Sequence, residues 1–387
     1  MKSINLIPTI ILLIMAGCTG NQQQTDGLIT VDVTKSYPKK EMILQDFLDV
    51  EYIPLETSDE FLTQGLVWAA GKEVVIIRNA LHDGEVFLFD RTTGKALRKI
   101  NRKGQGSEEY TFILGITLDE DKDEIFVHDF RKTVVYDLEG NFRRSLNYKA
   151  KSRYDHIYNF DSDNLICYDS YVSNDGTASN QSFYIISKQN GSIVREIQIP
   201  FEKKIVTSVV VKDEAGMTWG AYPSNHYPII PYFDKWILSE VSSDTIYAYS
   251  PDHRMMPLIT RTPSVQSMNP EVFLFPSVFT DRYSFMESVK KEYDFKQNTG
   301  YPGVDLIYDK QDKFIAEYTV YNDDDDKKPV FMKLRPVNSE IASARALQAP
   351  DIIEAYEKGQ LKGKLKEIAA TLNEESNPVI MLAKYKK

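Results

Sequence analysis

Cysteine is nearly absent: the 387 residues contain only Cys18 and Cys167, so no disulfide framework can staple this chain. Histidine is almost as scarce. His82, His128, His156, His226 and His253 fall at no spacing that suits a zinc cluster. No apolar run approaches the roughly 20 residues that a bilayer core requires, since the longest, Ile4 to Met15, is shorter and broken by Pro8. Clustered cations are missing too. The net charge of −10 argues against nucleic acid as a partner and serves solubility. No Gly-Lys-Ser/Thr follows a glycine-rich turn into a helix, which excludes a phosphate-binding P-loop.

What is present begins at the N-terminus. Lys2 precedes the apolar run, which stops at Ala16-Gly17-Cys18, and small residues before a lone cysteine read as a lipoprotein signal peptide over residues 1–17. Cys18 is then the lipidation site. Losing Lys2 with the signal takes the net charge from −10 to −11. Residues 18–40, opening Thr19-Gly20-Asn21-Gln22-Gln23-Gln24-Thr25, read as a polar tether and linker. The location expected is the outer membrane, held by lipid on Cys18. The first acid after Cys18 is Asp26, which favours the periplasmic face over the cell surface.

From residue 41 onward the chain repeats itself. An apolar run followed by a tight turn recurs as Val86–Asp90 before Thr93-Gly94, Val134–Asp137 before Glu139-Gly140-Asn141, and Phe183–Ser187 before Asn190-Gly191. Thr245–Tyr249 and Asp305–Asp309 are looser copies. With Asp90, Asp137, Ser187, Ser250 and Asp309 as marks, the steps are 47, 50, 63 and 59 residues. Runs apolar at nearly every position are buried on both faces, as in blades stacked around an axis. Each turn leads into a strand mixed with cations, such as Ala96–Ile100 and Phe142–Leu146, which suits an outer edge.

A further run about ten residues upstream in several copies, such as Val74–Ile77, Ile125–Val127, Leu165-Ile166 and Trp236–Leu238, is expected as the inner strand. A sixth blade is expected from the two ends: Val379–Leu382 with Met42–Leu44 and Val50–Leu55. The fold class is therefore all-β, a six-bladed β-propeller over 41–387 closed by N- and C-terminal strands. Residues 339–372, rich in alanine, leucine, lysine and glutamate, predict a helical insertion before the last strand.

Val50–Thr57 (VEYIPLET), Arg98–Tyr110 (RKINRKGQGSEEY) and Ser243–Tyr247 (SDTIY), together with the lipoprotein signal, resemble the six-bladed β-propeller lipoproteins of Bacteroidetes, often labelled BF3164-like. The resemblance spans nearly the whole mature chain and implies fold and location, not a reaction. Members of that family usually carry proline-glycine where this chain has Ser107-Glu108.

Three segments are candidates for ligand contact. The glycine-rich loop offers Arg102, Lys103, Gln105, Glu108 and Tyr110. His128-Asp129 ends a strand where a propeller delivers polar groups to its central channel. The ring-rich segment 219–233 offers Trp219, Tyr222 and Tyr227 as a stacking platform. Asp323–Asp326 reads as a solvated loop, because adjacent carboxylates cannot converge on one calcium ion. No catalytic residue, metal ligand or cofactor is assigned.

The function expected is a non-catalytic binding or protein-interaction module whose partner is a glycan, a peptide or an envelope protein. The alternative is a lyase- or lactonase-like propeller enzyme with His128, Asp129, Arg102 and Tyr110 at the channel mouth. Cys18→Ala should move the protein from the membrane to the soluble fraction and abolish palmitate labelling in cells; membrane retention of the variant would refute the anchor.

Overall fold

The computed structural model describes residues 27–79, 83–149, 152–170, 183–326 and 328–386. The signal peptide, Cys18 and the tether through Asp26 lie outside the described residues. Six blades surround one axis. Blade 1 is Leu66–Ala70, Val74–Arg78, Glu85–Asp90 and Ala96–Asn101. Blade 2 is Gly115–Asp119, Glu124–His128, Lys132–Asp137 and Phe142–Asn147. Blade 3 is Tyr154–Asn159, Asn164–Asp169, Phe183–Ser187 and Ile193–Ile197. Blade 4 runs Ile229–Tyr232, Lys235–Leu238, Thr245–Tyr249 and Met255–Thr262. Blade 5 runs Val272–Phe279, Tyr283–Lys290, Gly303–Asp309 and Phe314–Asn322.

Blade 6 closes the ring. The C-terminal strand Val379–Tyr385 pairs antiparallel with Ile341–Leu347 on one edge and with the N-terminal strand Leu48–Pro54 on the other. Both faces of a strand are buried, as the apolar runs require. In blade 1, Val74 and Ile76 pack with Ile116, Ile125 and Val127 of blade 2, while Val75 and Ile77 pack with Ile380 and Leu382 of blade 6. Full burial of such a side chain contributes about 1.5–3 kcal/mol, so each blade is stabilised chiefly by its neighbours.

All five repeating runs are the third strands of their blades. The runs expected as inner strands are instead the second strands, and a further strand of the same length lies inside each of them. Four further expectations need correction. Met42 and Ile43 belong to Lys39–Ile43, which adds in parallel to the outer strand of blade 5, and Leu44 opens the one-turn helix Leu44–Phe47. Ile29–Asp32, within the expected tether, adds in parallel to the outer strand of blade 4 and buries Ile29 and Val31. Its alternation of apolar and polar residues is only four residues long.

The helical insertion is also narrower than 339–372. Ile341–Leu347 is a strand, because pairing with the C-terminal strand overrides the helix propensity of its alanines, and the helices are Ala349–Glu357 and Gly363–Ala369. They bury Ile352, Ala355, Leu365 and Ile368 in one cluster with Phe47 and Phe285. The acidic run is not simply solvated: the Asp324 carboxylate accepts from Tyr52 Oη at 3.0 Å, and Asp323 pairs with Lys362 at 3.3 Å.

The turns between third and fourth strands use glycine for two reasons. Gly94, Gly140 and Gly191 have φ of 71°, 83° and 74°, and each abuts the outer strand of the preceding blade. A Cβ on Gly94 would stand 1.9 Å from the Pro54 carbonyl oxygen. Gly216 has φ 80° with nothing within 4 Å. In urea melts, Gly94→Ala and Gly216→Ala should both lose the roughly 1–2 kcal/mol of a left-handed backbone. Gly94→Ala should lose about 1–3 kcal/mol more from overpacking; equal losses would refute the blade contact.

Candidate functional site

The inner strands of blades 1 to 5 face a central channel, and blade 6 fills its inner position with an irregular stretch, residues 333–338. Pro336 denies that stretch a donor, which disfavours a regular strand. It makes contact with three other blades. Lys333 pairs with Glu287 at 2.6 Å and Asp305 at 3.1 Å in blade 5. The Arg335 guanidinium lies 4.2 Å from the ring centroid of Trp68 in blade 1, and Tyr158 of blade 3 donates to the Pro336 carbonyl at 3.3 Å. Asn338 Nδ2 donates to the Ala70 carbonyl at 2.6 Å. The chain thus plugs its own channel.

At the end where the inner strands finish, the plug floors an open cavity of about 720 Å³. Trp68, Tyr158, Phe160, Phe233 and Trp236 supply rings to its wall, while Lys72, Asp121, Asp234 and Glu340 stand among its polar groups. Other charged groups there hold the frame. Asp119 pairs with the buried Lys188 at 2.7 Å, and Arg91 and Lys384 both pair with Glu51. The Glu120 carboxylate accepts from the backbone N–H groups of Lys72, Glu73 and Val74, tying the first turn of blade 1 to blade 2.

At the opposite end, His128 is fully engaged. Thr117 Oγ1 donates to the Ile157 carbonyl at 2.7 Å, so it accepts from His128 Nε2 at 2.8 Å. His128 Nδ1 is then the acceptor for Thr133 Oγ1, also at 2.8 Å, and Tyr148 closes the chain on Thr133. Burial first, and the Arg335 charge second, push its pKa down to about 3. The imidazole is neutral, with its lone pair occupied. Asp129 accepts from the backbone N–H of Thr111 and of Phe130, each at 2.7 Å, and so braces a turn.

The glycine-rich loop is lashed down likewise. Tyr110 is a core residue: its hydroxyl donates to the Gly84 carbonyl at 2.6 Å, and its ring meets Tyr136 edge-on. Burial pushes its pKa up to about 12. Arg102 donates through Nε and Nη2 to the Gly140 carbonyl. Lys103, Gln105 and Glu108 are exposed, and the Glu108 carbonyl accepts from Tyr136 at 2.6 Å.

The aromatic platform is divided. Trp219 and Tyr222, 52% and 70% exposed, belong to and follow a hairpin of Val209–Lys212 and Thr218–Ala221, where Trp219 Nε1 donates to Asp213. Tyr227 turns inward against His156, ring centroids 6.0 Å apart. The structure therefore joins neither loop nor hairpin to the ring-walled cavity. Sequence reading missed Trp68, Tyr158 and Arg335; the mixed polarity of Tyr154–Asn159 was the available signal for Tyr158, whereas Leu66–Ala70 is apolar throughout and residues 333–338 form no strand.

The Cys167 thiol is buried, and burial raises its pKa, which makes it inert. Among the described residues no cluster of histidine, cysteine and carboxylate suited to a metal occurs, and no helix is long and apolar enough to cross a membrane.

Comparison with known proteins places this architecture. A crystal structure of a protein described as exported (BF0058) from Bacteroides fragilis superposes with a TM-score of 0.61 at 14% identity, covering 93% of this chain and 100% of that one. A member of the duf4221 family from Bacteroides vulgatus gives 0.48 at 9% identity, covering 88% and 99%. At 14% identity the likeness to the Bacteroides fragilis protein concerns the fold. No curated protein matches the sequence. Residues 20–339 match the family model DUF5128, described as a 6-bladed beta-propeller, and the chain belongs to that family.

Proposed function

We propose that the protein is an exported, lipid-anchored binding module of the cell envelope, akin to the BF3164-like lipoproteins, which takes its ligand in the ring-walled mouth of the plugged channel. The plug carries this reading. Residues 333–338 cross the channel, and the groups an enzyme would use are committed elsewhere: His128 to two threonines, Asp129 to a turn, Arg102 to a carbonyl and Tyr110 to the core. The open mouth, by contrast, combines aromatic faces with a few polar groups, the usual make-up of a recognition site. A glycan or a peptide of an envelope partner suits such a wall. Lipid on Cys18 and a short polar tether would keep the domain at the outer membrane, on its periplasmic side.

Phe233 tests the mouth. It is 37% exposed and has φ 49°, a conformation that asparagine tolerates. On arrays of glycans and peptides, the full-length protein should give a saturable signal that falls about tenfold or more in Phe233→Asn. Loss in Trp219→Ala, with Phe233→Asn unchanged, would move the site to the hairpin.

The histidines set a second expectation. Burial lowers the pKa values of His128 and His156 to about 3 and that of His226 to about 4. Protonation therefore favours the unfolded chain. Their contribution is complete above the unfolded value of about 6.5 and declines as pH falls from there toward the folded values. Urea melts between about pH 7.5 and 5 should show stability dropping below 6.5, with a shallower drop in His128→Gln; an unchanged slope would show that His128 titrates normally.

A further inference from the structure

A second cavity opens at the same end of the ring, beside the mouth. It encloses about 490 Å³ between blades 4, 5 and 6, with Asp46, Thr280, Asp281, Tyr283 and Tyr385 in its wall. One residue belongs to both walls. Phe233, on the turn between the first two strands of blade 4, lines this cavity and the mouth alike. The closing strand marks the same divide, with Lys384 on the mouth and Tyr385 on the second cavity. Phe233 is held in place: its backbone N–H donates to the Ser339 carbonyl at 3.0 Å, and its ring packs on the buried Tyr385, centroids 5.4 Å apart. Two hollows thus flank a single exposed ring, and a ligand that enters both must cross it.

Charge decides what gains by crossing. Most cations on the two walls are committed: Arg91 and Lys384 to Glu51, and Arg282 to Asp309 at 2.9 Å and Asp312 at 2.8 Å. Lys386 Nζ donates to the backbone carbonyls of Gln45 and Asp46 at 2.7 and 3.2 Å. Lys72 alone among them has no such partner within the described residues. The carboxylates stand the other way. Asp121 and Asp234 on the mouth, and Asp46 and Asp281 on the second cavity, are exposed and form no ion pair among the described residues. Asp281 only accepts from Tyr232 Oη at 3.3 Å. Each hollow therefore keeps two spare negative charges beside aromatic rings. An ammonium or guanidinium uses both features, because it pairs with a carboxylate and is attracted to a ring face, whereas a neutral sugar gains no ion pair.

We propose that the two hollows form one cleft for a basic peptide segment, laid across Phe233 with a cationic side chain on each side of the ring. This rests on the mouth being the binding site, and it names the ligand class and extends the site onto blade 5. An extended pentapeptide reaches at most about 18 Å, enough to place lysines on both sides of one residue. Complementary charge of this kind favours basic segments over acidic ones and makes their capture sensitive to salt.

Fluorescence anisotropy of labelled pentalysine, pentaglutamate and maltopentaose with the full-length protein in neutral detergent tests it. Pentalysine should bind saturably and more weakly as salt rises, and the other two should not bind. Asp234→Asn in the mouth and Asp281→Asn in the second cavity should each weaken pentalysine about two- to fivefold, the loss of one exposed ion pair. Glu214→Gln, the same change of charge on the hairpin that precedes blade 4, should leave it unchanged. Weakening by Asp234→Asn with Asp281→Asn silent would overturn the joined cleft and leave the mouth standing as the binding site. No effect of either, or an equal effect of Glu214→Gln, would show pentalysine held by the acidic surface at large and overturn the proposal. Maltopentaose bound more tightly than pentalysine, and lost in Phe233→Asn, would make the ligand a glycan of the mouth. Absence of pentalysine binding by the unaltered protein would overturn the peptide class outright.

Discussion

Val379–Tyr385 is hydrogen-bonded along both edges, and one of its two partners comes from the opposite end of the chain. Every other arrangement depends on this strand. A blade buries its two faces only between neighbours, so a ring left open would expose one face of blade 1 and one of blade 6. Ile380 and Leu382 of the closing strand are the residues on which Val75, Ile77, Phe87 and Phe89 of blade 1 pack. The N-terminal segment reaches its place by laying Ile29–Asp32 on blade 4 and Lys39–Ile43 on blade 5 before it enters blade 6. Those added strands cover edges that would otherwise offer unpaired backbone groups.

Closure also determines what the channel can be. With blade 6 lacking a regular innermost strand, the stretch 333–338 is free to lean across the axis and meet Trp68, Tyr158 and Glu287 on other blades. One consequence is electrostatic. Burial keeps His128 and His156 neutral, and the guanidinium placed in the channel acts second in the same direction. Another is geometric: the plug becomes the floor of a mouth walled by rings where the inner strands finish.

How much of this was legible depended on burial. The third strands, with apolar residues on both faces and glycine turns behind them, were readable, and the structure finds them in all five copies. The first strands were not. GITLD and YDHIYN face the channel, so they mix polar and apolar residues and lack the periodicity that marks a core strand. Ile341–Leu347 was misread because alanine favours a helix locally, while its partners lie some forty residues away in the chain. Candidate residues were chosen by chemical type, and that choice cannot tell a ligand contact from a satisfied core group. Tyr110 and His128 look reactive in sequence and are locked in the structure.

The sequence by itself determined the repeat, the need for burial on both faces of the strands and the scarcity of disulfide and metal chemistry, since these follow from residue type and spacing alone. Tertiary structure decided which strand occupies which position, where the terminal segments attach and which polar groups stay free. Those outcomes rest on contacts between residues up to some three hundred positions apart, such as Asn377 with Thr57, and on competition for hydrogen-bond partners that no local pattern records. Arg335 is the clearest case: unremarkable between Leu334 and Pro336 in the chain, it comes to lie over the Trp68 ring of another blade only when the ring closes around it.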